Sequence, residues 1–224
     1  MRQPLRVGVM ASGRGSDLQS IIDACESGQI GAQVVIVISN RASAFALERA
    51  RTHGIPATHV PVGHTGSPDW EAADVRHVEL FREYRVQLVC MAGYMRKLGP
   101  RLLAAFPAAI MNIHPALLPA FPGVEVQWEA VEYGVKVAGA TVHFADEEFD
   151  RGPIIIQAVV PVHEGDSGED LAARILEQEH RIYPQAIKWF AEGRLKIEGR
   201  QVRVLKAPRP PAEQVIISPP LDPR

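Results

Sequence analysis

The chain has 224 residues, 46% of them hydrophobic, which is enough for one domain with a substantial core. Its 24 basic and 26 acidic side chains give a formal charge of -2, so no broad basic field attracts it to nucleic acid or to a membrane surface. We therefore expect small-molecule ligands, with no nucleic-acid partner and no membrane partner.

Metal sites, disulfides and export signals are not indicated by the sequence. Cys25 and Cys90 each lie inside an apolar run, so we expect no disulfide. The eight histidines show no His-Glu-x-x-His spacing, and we expect no metal. No apolar signal segment precedes the first predicted strand, and no stretch holds the ~18 apolar residues that span a bilayer. We therefore expect a cytoplasmic protein.

Strands and helices are predicted to alternate through the first half of the chain. A strand at residues 5–10 leads through a glycine turn into a helix, on which Leu18, Ile21 and Ile22 share one face. The β-branched run at residues 34–38 is apolar on both faces, as in a parallel sheet covered by helices on both sides. The next predicted elements are a helix at 44–53, a strand at 57–60, a helix at 68–84, a strand at 86–92 and a short helix from Pro100.

The second half is predicted to complete a doubly wound α/β domain with a mostly parallel, Rossmann-like sheet. The predicted elements are a strand at 108–113, a loop at 115–123, a helix to Gly134, strands at 138–144 and 154–160, a helix capped by Ser167 and Asp170, and a hairpin at 195–204. The long helix is expected to break at Pro184 and to resume as far as Gly193. We expect the domain to span residues 1–205 and a proline-rich tail to span residues 206–224.

The glycine turn after the first strand is a candidate phosphate site. Backbone N–H groups and the positive end of a helix dipole converge there. The dinucleotide-binding pattern is not met, because Leu18 stands where the third glycine belongs and the second strand ends in Asn40 rather than an acid. A tight turn with Ser16 or Asp17 as the helix N-cap remains the alternative.

Asn112 and His114 are candidate catalytic residues. They lie two positions apart in a predicted strand, so they project to the same side, near the carboxyl end where parallel sheets bind ligands. An amide can donate to a developing oxyanion and an imidazole can carry a proton, so the pair fits acyl transfer to an amine. A capped strand end with a structural histidine is the alternative.

A loop rich in acids, residues 146–152, connects two predicted strands and supplies a candidate third group. One carboxylate there would orient His114 and favour its protonated form. We single out Asp150, which directly precedes Arg-Gly-Pro. The other three acids, Asp146, Glu147 and Glu148, are expected to be solvated loop charges.

Four motifs resemble the phosphoribosylglycinamide formyltransferase family over about residues 5–205. They are ASGRGS at 11–16, AGYMR at 92–96, NIHPALLP at 112–119, and VHF at 142–144 with the following Asp-x-Gly-Pro at 150–153. The Asn-x-His-Pro motif marks the wider folate-dependent formyltransferase superfamily. The glycine turn and QEHRIYP at 178–184 are similar to this family in particular. The resemblance implies transfer of a formyl group from 10-formyltetrahydrofolate, as cosubstrate, to the amine of 5-phosphoribosylglycinamide in purine synthesis, by a monomer or weak homodimer.

The resemblance also assigns roles to individual residues. It implies a catalytic trio of Asn112, His114 and Asp150, a phosphate turn of Gly15, Ser16 and Asp17, a ribose contact from Glu179, and a folate site made by Met95, Arg96, Lys97 and Leu98 together with Asn112. Four places depart from the common family pattern: many relatives carry Asn at Asp17, some carry a folate-contacting Arg at Trp70, the stretch around Glu125 often contains His, and Ala116 replaces a frequent Ser.

Two other functions remain open at this point. A formyltetrahydrofolate hydrolase would pass the formyl group to water with the same trio. Such enzymes usually carry an added N-terminal regulatory domain, whereas the first strand here is predicted at residue 5. A nucleotide-binding or regulatory module on the same scaffold would leave Asn112 and His114 with structural roles.

Overall fold

The computed structural model describes residues 3–148, 150–207 and 218. Its strands and helices follow one another as β1 (Leu5–Met10), α1 (Ser16–Glu26), β2 (Ala32–Ser39), α2 (Phe45–Thr52), β3 (Ala57–His59), α3 (Pro68–Glu83), β4 (Leu88–Met91), α4 (Pro100–Ala105), β5 (Ile110–His114), α5 (Val126–Tyr133), β6 (Val137–Phe144), β7 (Ile154–Pro161), α6 (Gly168–Ala191), β8 (Leu195–Glu198) and β9 (Gln201–Val204). The predicted order of elements is confirmed, including the terminal hairpin.

The strands form one mixed sheet in the order β3-β2-β1-β4-β5-β6-β7-β9-β8. The pairs from β3 to β5 are parallel, whereas β5 pairs antiparallel with β6 and β6 with β7. The chain winds outward from β1 to β3 and then returns to the other side of β1 with β4. The carboxyl ends of β1 and β4 therefore border the crevice where open α/β sheets bind ligands.

Helices cover both faces of the sheet, as the apolar runs predict. Val9 on β1 belongs to a cluster with buried residues of α1, α2, α5 and α6, and its neighbour Met10 belongs to a second cluster with α3 and α4. Side chains of a strand alternate between the faces of a sheet. Both residues are therefore fully buried, each in a different layer of the core.

The predicted break at Pro184 is wrong, because α6 continues from Gly168 to Ala191 with this proline inside it. A proline within a helix removes one hydrogen bond and destabilises an isolated helix by roughly 3 kcal/mol or more. Tyr183, Ala186 and Ile187 around it are completely buried. Their packing on the sheet keeps the helix continuous. The capping box of Ser167 and Asp170 at its start is confirmed.

Most of the predicted tail lies outside the described residues, which include only 206, 207 and 218 of that stretch. None of the described helices is long and apolar enough to cross a bilayer.

Tyr183 anchors α6 beneath the crevice, and its hydroxyl group gives a test of this packing. The hydroxyl contacts the carbonyl oxygens of Met91 on β4 at 3.0 Å and of Met111 on β5 at 2.9 Å. We expect Tyr183→Phe to lower the free energy of unfolding by about 1–2 kcal/mol with an unchanged urea m-value, because the two buried carbonyls lose the one hydroxyl donor that they share.

Tyr133→Phe is the matched control for this urea titration, because Tyr133 is 79% exposed. It should change the free energy of unfolding by less than about 0.5 kcal/mol. Equal effects of the two variants would show that the Tyr183 hydroxyl does not support the sheet.

Candidate active site

A cleft of about 590 Å³ opens at the carboxyl ends of the central strands. It brings together most of the site residues that the sequence predicts: Ser16, Asp17, Met95, Arg96, Lys97, Asn112, His114, Asp150 and Glu179. Leu98 lines an adjoining cavity, which it shares with Asn112, His143 and Asp150. Gly15 is absent from the lining of both cavities and lies directly beside Ser16 at the start of α1.

Asn112, His114 and Asp150 meet at the centre of the cleft. Asn112 donates from Nδ2 to Oδ1 of Asp150 over 3.3 Å, and Nδ1 of His114 lies 3.4 Å from Oδ2 of the same carboxylate. The backbone N–H of Gly123 also donates to Oδ2, at 3.2 Å. His114 and Asp150 are only 4% and 7% exposed. The carboxylate is therefore buried but surrounded by donors, as a stable buried charge requires.

The second ring nitrogen of His114 fixes the orientation of the imidazole. Nε2 lies 2.8 Å from the carbonyl oxygen of Phe121, which can only accept, so Nε2 carries a proton and donates it. Phe121 and Gly123 both belong to the predicted proline- and glycine-rich loop. This loop therefore holds the histidine and the aspartate from the same side, while β5 supplies the histidine itself.

His143 on β6 is a residue of this centre that the sequence reasoning did not include among the site residues. It is opposite Asn112 in the antiparallel pair of β5 and β6, and it is 2% exposed. Nδ1 donates to the carbonyl oxygen of Phe144 at 2.9 Å, which leaves Nε2 as the acceptor for Nδ2 of Asn112 at 3.1 Å. Burial lowers the pKa of His143. The neutral ring therefore orients the amide of Asn112.

The glycine turn forms as the sequence predicts, but the alternative of a side-chain cap from Ser16 or Asp17 is wrong. The N-cap of α1 is Gly15, in the left-handed conformation with φ 73, and it makes no side-chain capping bond. A Cβ at this position would lie 2.8 Å from Cβ of Ala46, so both the conformation and the space require glycine. The first N–H groups of α1 therefore remain free of a side-chain cap.

Two buried carboxyl groups, Asp17 and Glu179, line the same cleft. Burial raises the pKa of Asp17 to about 6. Burial and the nearby Asp17 together raise the pKa of Glu179 well above its ordinary value. Nε2 of His180 lies 3.8 Å from Oδ1 of Asp17, beyond hydrogen-bond distance, and this oxygen has no hydrogen-bond partner among the described residues.

The segment after β4 is connected directly to the glycine turn. Ser12 donates its backbone N–H to the carbonyl of Gly93 at 3.0 Å, and its hydroxyl accepts from the N–H of Met95 at 2.8 Å. The same hydroxyl donates to Oδ1 of Asn40 at 2.6 Å. The two predicted substrate regions therefore share a buried serine at the crevice between β1 and β4.

Comparison with known proteins identifies the class of protein. Residues 5–187 match the family model described as formyl transferase, and the chain belongs to this family. Phosphoribosylglycinamide formyltransferase of Escherichia coli is 45% identical over 193 residues, which cover 86% of this chain and 90% of that relative. The crystal structure of glycinamide ribonucleotide transformylase 1 from Symbiobacterium toebii has a TM-score of 0.88 and 54% identity, and covers 92% of this chain and 96% of its own.

A relative with another activity has nearly the same fold. A formyltetrahydrofolate deformylase from Pseudomonas syringae has a TM-score of 0.85 at 31% identity, and the match covers 91% of this chain but 67% of that one. The fold alone therefore does not separate a transferase from a deformylase. The side chains of the cleft must make the distinction.

His143 gives a test of how the centre is oriented. We expect His143→Ala to lower the turnover of formyl transfer roughly 10- to 100-fold, because the amide of Asn112 loses the acceptor that orients it. His143→Gln should retain more turnover, because its amide oxygen is as many bonds from Cα as Nε2. Steady-state rates and thermal unfolding of both variants would be measured. Equal losses in the two variants would assign His143 a packing role.

Asp17 gives a test based on pH. Its folded-state pKa of about 6 lies above the ordinary 3.8, so the folded protein binds this proton more tightly than the unfolded chain. The resulting stabilisation is complete below about pH 4 and is lost as the pH rises through 6. We expect Asp17→Asn to be more stable than wild type at pH 8 by on the order of 1–3 kcal/mol, and not at pH 4.

Urea unfolding at both pH values would measure this difference, with the exposed Asp23 of the same helix substituted by Asn as the control. The control should show a similar stability difference from wild type at both pH values. A stability gain in Asp17→Asn that does not depend on pH would contradict the assigned protonation.

Proposed function

We propose that this protein transfers the formyl group of 10-formyltetrahydrofolate to the amino group of 5-phosphoribosylglycinamide. One observation carries the proposal: a single cleft is lined both by Asn112, His114 and Asp150 and by Ser16 and Asp17 at the start of α1, together with Glu179. A site with a reaction centre beside a phosphate turn suits a reaction between two substrates, one of them phosphorylated.

The acceptor would be held by the start of α1 and by α6. The N–H groups that follow Gly15 and the helix dipole favour a phosphate group. Glu179 would accept hydrogen bonds from ribose hydroxyls. A carboxylate beside a phosphate would repel it. The raised pKa of Asp17, about 6, would reduce this charge as the pH falls towards 6.

The cosubstrate would occupy the other part of the cleft. Met95, Arg96 and Lys97 line the cleft, and Arg96, Lys97 and Leu98 line the adjoining cavity together with Asn112. This arrangement would place the formyl group beside Asn112 and His114, where the amine of the acceptor can reach it.

In the reaction, the amine nitrogen would bond to the formyl carbon, and the bond from that carbon to the folate nitrogen would then break. The proton lost by the amine would finally reside on that folate nitrogen. The negative charge on the tetrahedral oxygen would be stabilised by the amide of Asn112 and by protonated His114. Asp150 would stabilise the positive charge of the imidazole ring.

Asn112 and His114 would have to exchange hydrogen bonds within the protein for hydrogen bonds to the substrate. Both N–H groups of Asn112 are directed at protein acceptors, His143 at 3.1 Å and Asp150 at 3.3 Å. Donation to the formyl oxygen would exchange one of these contacts. His114 would similarly exchange its contact with the Phe121 carbonyl.

Hydrolysis of the same folate is the second candidate function, favoured by the close fold similarity of the deformylase relative. The glycine turn and Glu179 would then have no ligand. An assay that follows release of tetrahydrofolate with and without 5-phosphoribosylglycinamide separates the two functions. Release that depends on the ribonucleotide supports transfer, and release at an equal rate without it would overturn the proposal.

His114→Ala tests the reaction centre directly. We expect turnover to fall roughly 10²- to 10⁴-fold because the protonated ring that stabilises the tetrahedral oxygen is removed. The dissociation constant for the ribonucleotide should change less than about threefold in calorimetry, because the glycine turn is untouched.

The exposed His64 provides the matched control, and His64→Ala should leave both quantities unchanged. Near-normal turnover of His114→Ala would remove His114 from the proposed mechanism.

A further inference from the structure

The irregular segment 93–99, between β4 and α4, carries much of the proposed cosubstrate site. Helix α3 packs against this segment. Three residues of α3, Trp70, Asp74 and His77, follow the i, i+4, i+7 spacing that places them on one helix face. Each of them contacts the segment or the start of α4. This face of α3 therefore determines where the segment lies.

Asp74 attaches α4 to α3. Its carboxylate accepts from the N–H of Arg101 at 2.9 Å and of Leu102 at 3.0 Å, so it serves as the N-terminal cap that α4 lacks in its own sequence. A Cβ on Gly99 would lie 2.0 Å from Cγ of Asp74. The end of the segment is therefore held against α3 at a distance that only glycine permits.

His77 supports the beginning of the segment. Its ring packs edge-on against Tyr94, with 6.3 Å between the ring centroids. His77 is 4% exposed, and burial lowers its pKa to about 4. The contact is therefore one between neutral rings at neutral pH.

Trp70 contacts the middle of the segment, next to the cosubstrate cavity. Its indole Nε1–H donates to the carbonyl oxygen of Lys97 at 3.1 Å. The peptide bond between Lys97 and Leu98 is trans, so its C=O and N–H groups point in opposite directions. The N–H of Leu98 therefore points away from Trp70. Leu98 also lines the cavity that contains Asn112 and His143.

We propose that Trp70 is a positioning residue for the cosubstrate: its hydrogen bond to Lys97 fixes the peptide that presents the N–H of Leu98 to the folate heterocycle. The identity of this ligand rests on the proposed function. Trp70 acts through the backbone, so its loss affects binding of the folate rather than the chemistry at His114.

Trp70→Phe removes the indole N–H and keeps an aromatic ring. We expect the KM for 10-formyltetrahydrofolate to rise about 3- to 10-fold, as for the loss of one hydrogen bond. We expect kcat and the KM for the ribonucleotide to change less than twofold. The dissociation constant for tetrahydrofolate, measured by calorimetry without turnover, should rise by the same factor as the KM.

Two further variants separate the hydrogen bond from the packing of the ring. Trp70→Gln places an amide N–H as many bonds from Cα as the indole N–H, and we expect it to bind tetrahydrofolate more tightly than Trp70→Phe. Trp189→Phe makes the same substitution at a partly buried tryptophan of α6. This control should leave the KM for 10-formyltetrahydrofolate and the dissociation constant for tetrahydrofolate unchanged.

The outcomes distinguish this proposal from the proposed function. The positioning role would be overturned if Trp70→Phe left the KM for 10-formyltetrahydrofolate and the dissociation constant for tetrahydrofolate unchanged. It would also be overturned if Trp70→Phe bound tetrahydrofolate more tightly than Trp70→Gln. A parallel loss of kcat, of both KM values and of thermal stability would overturn it too. If the wild type binds tetrahydrofolate but does not formylate the ribonucleotide, only the proposed acceptor fails. If it does not bind tetrahydrofolate, both proposals fail.

Discussion

The buried carboxylate of Asp150 is the constraint on which the centre of the site depends. A carboxylate removed from water is stable only where N–H groups or positive charge surround it. Here Asn112 on β5 and the backbone of Gly123 donate to it, and the ring of His114 faces it. Since His143 on β6 in turn orients Asn112, this charge connects two strands and two loops. The positions of Asn112 and His114 are therefore determined by the donors that the buried carboxylate of Asp150 requires.

The carboxyl group of Asp17 is not satisfied in the same way. It shares the cleft with Glu179, and its Oδ1 lacks a hydrogen-bond partner within the described part of the chain. Buried polar atoms normally have partners, so an unpartnered atom on the wall of a cleft is a candidate contact for a ligand. The paired groups hold Asn112 and His114 in place, whereas Asp17 leaves an atom of the cleft wall without a partner among the described residues.

Local patterns predicted the strands and helices because apolar periodicity and turn residues act over a few neighbouring positions. Asn112 and His114 were predicted to lie together for the same reason, as two polar residues at one strand end, and both line the cleft. His143 was not found, because its partner depends on the antiparallel register of β5 with β6, a non-local feature. The helix break expected at Pro184 did not occur because packing on the sheet outweighs local preference.

The transferase and the hydrolase differ in what reaches the formyl carbon. An amine on a ribonucleotide must compete with water at far higher concentration, and only a bound, oriented amine does so effectively. The phosphate and the ribose lie far from the reacting atoms, so their contacts convert binding energy into placement of the amine. Ser12 connects the turn proposed to bind that phosphate with the segment proposed to hold the folate, through Gly93 and Met95. Because the two regions proposed to hold the substrates are joined through one buried residue, we expect the crevice between β1 and β4 to set the distance between the amine and the formyl group.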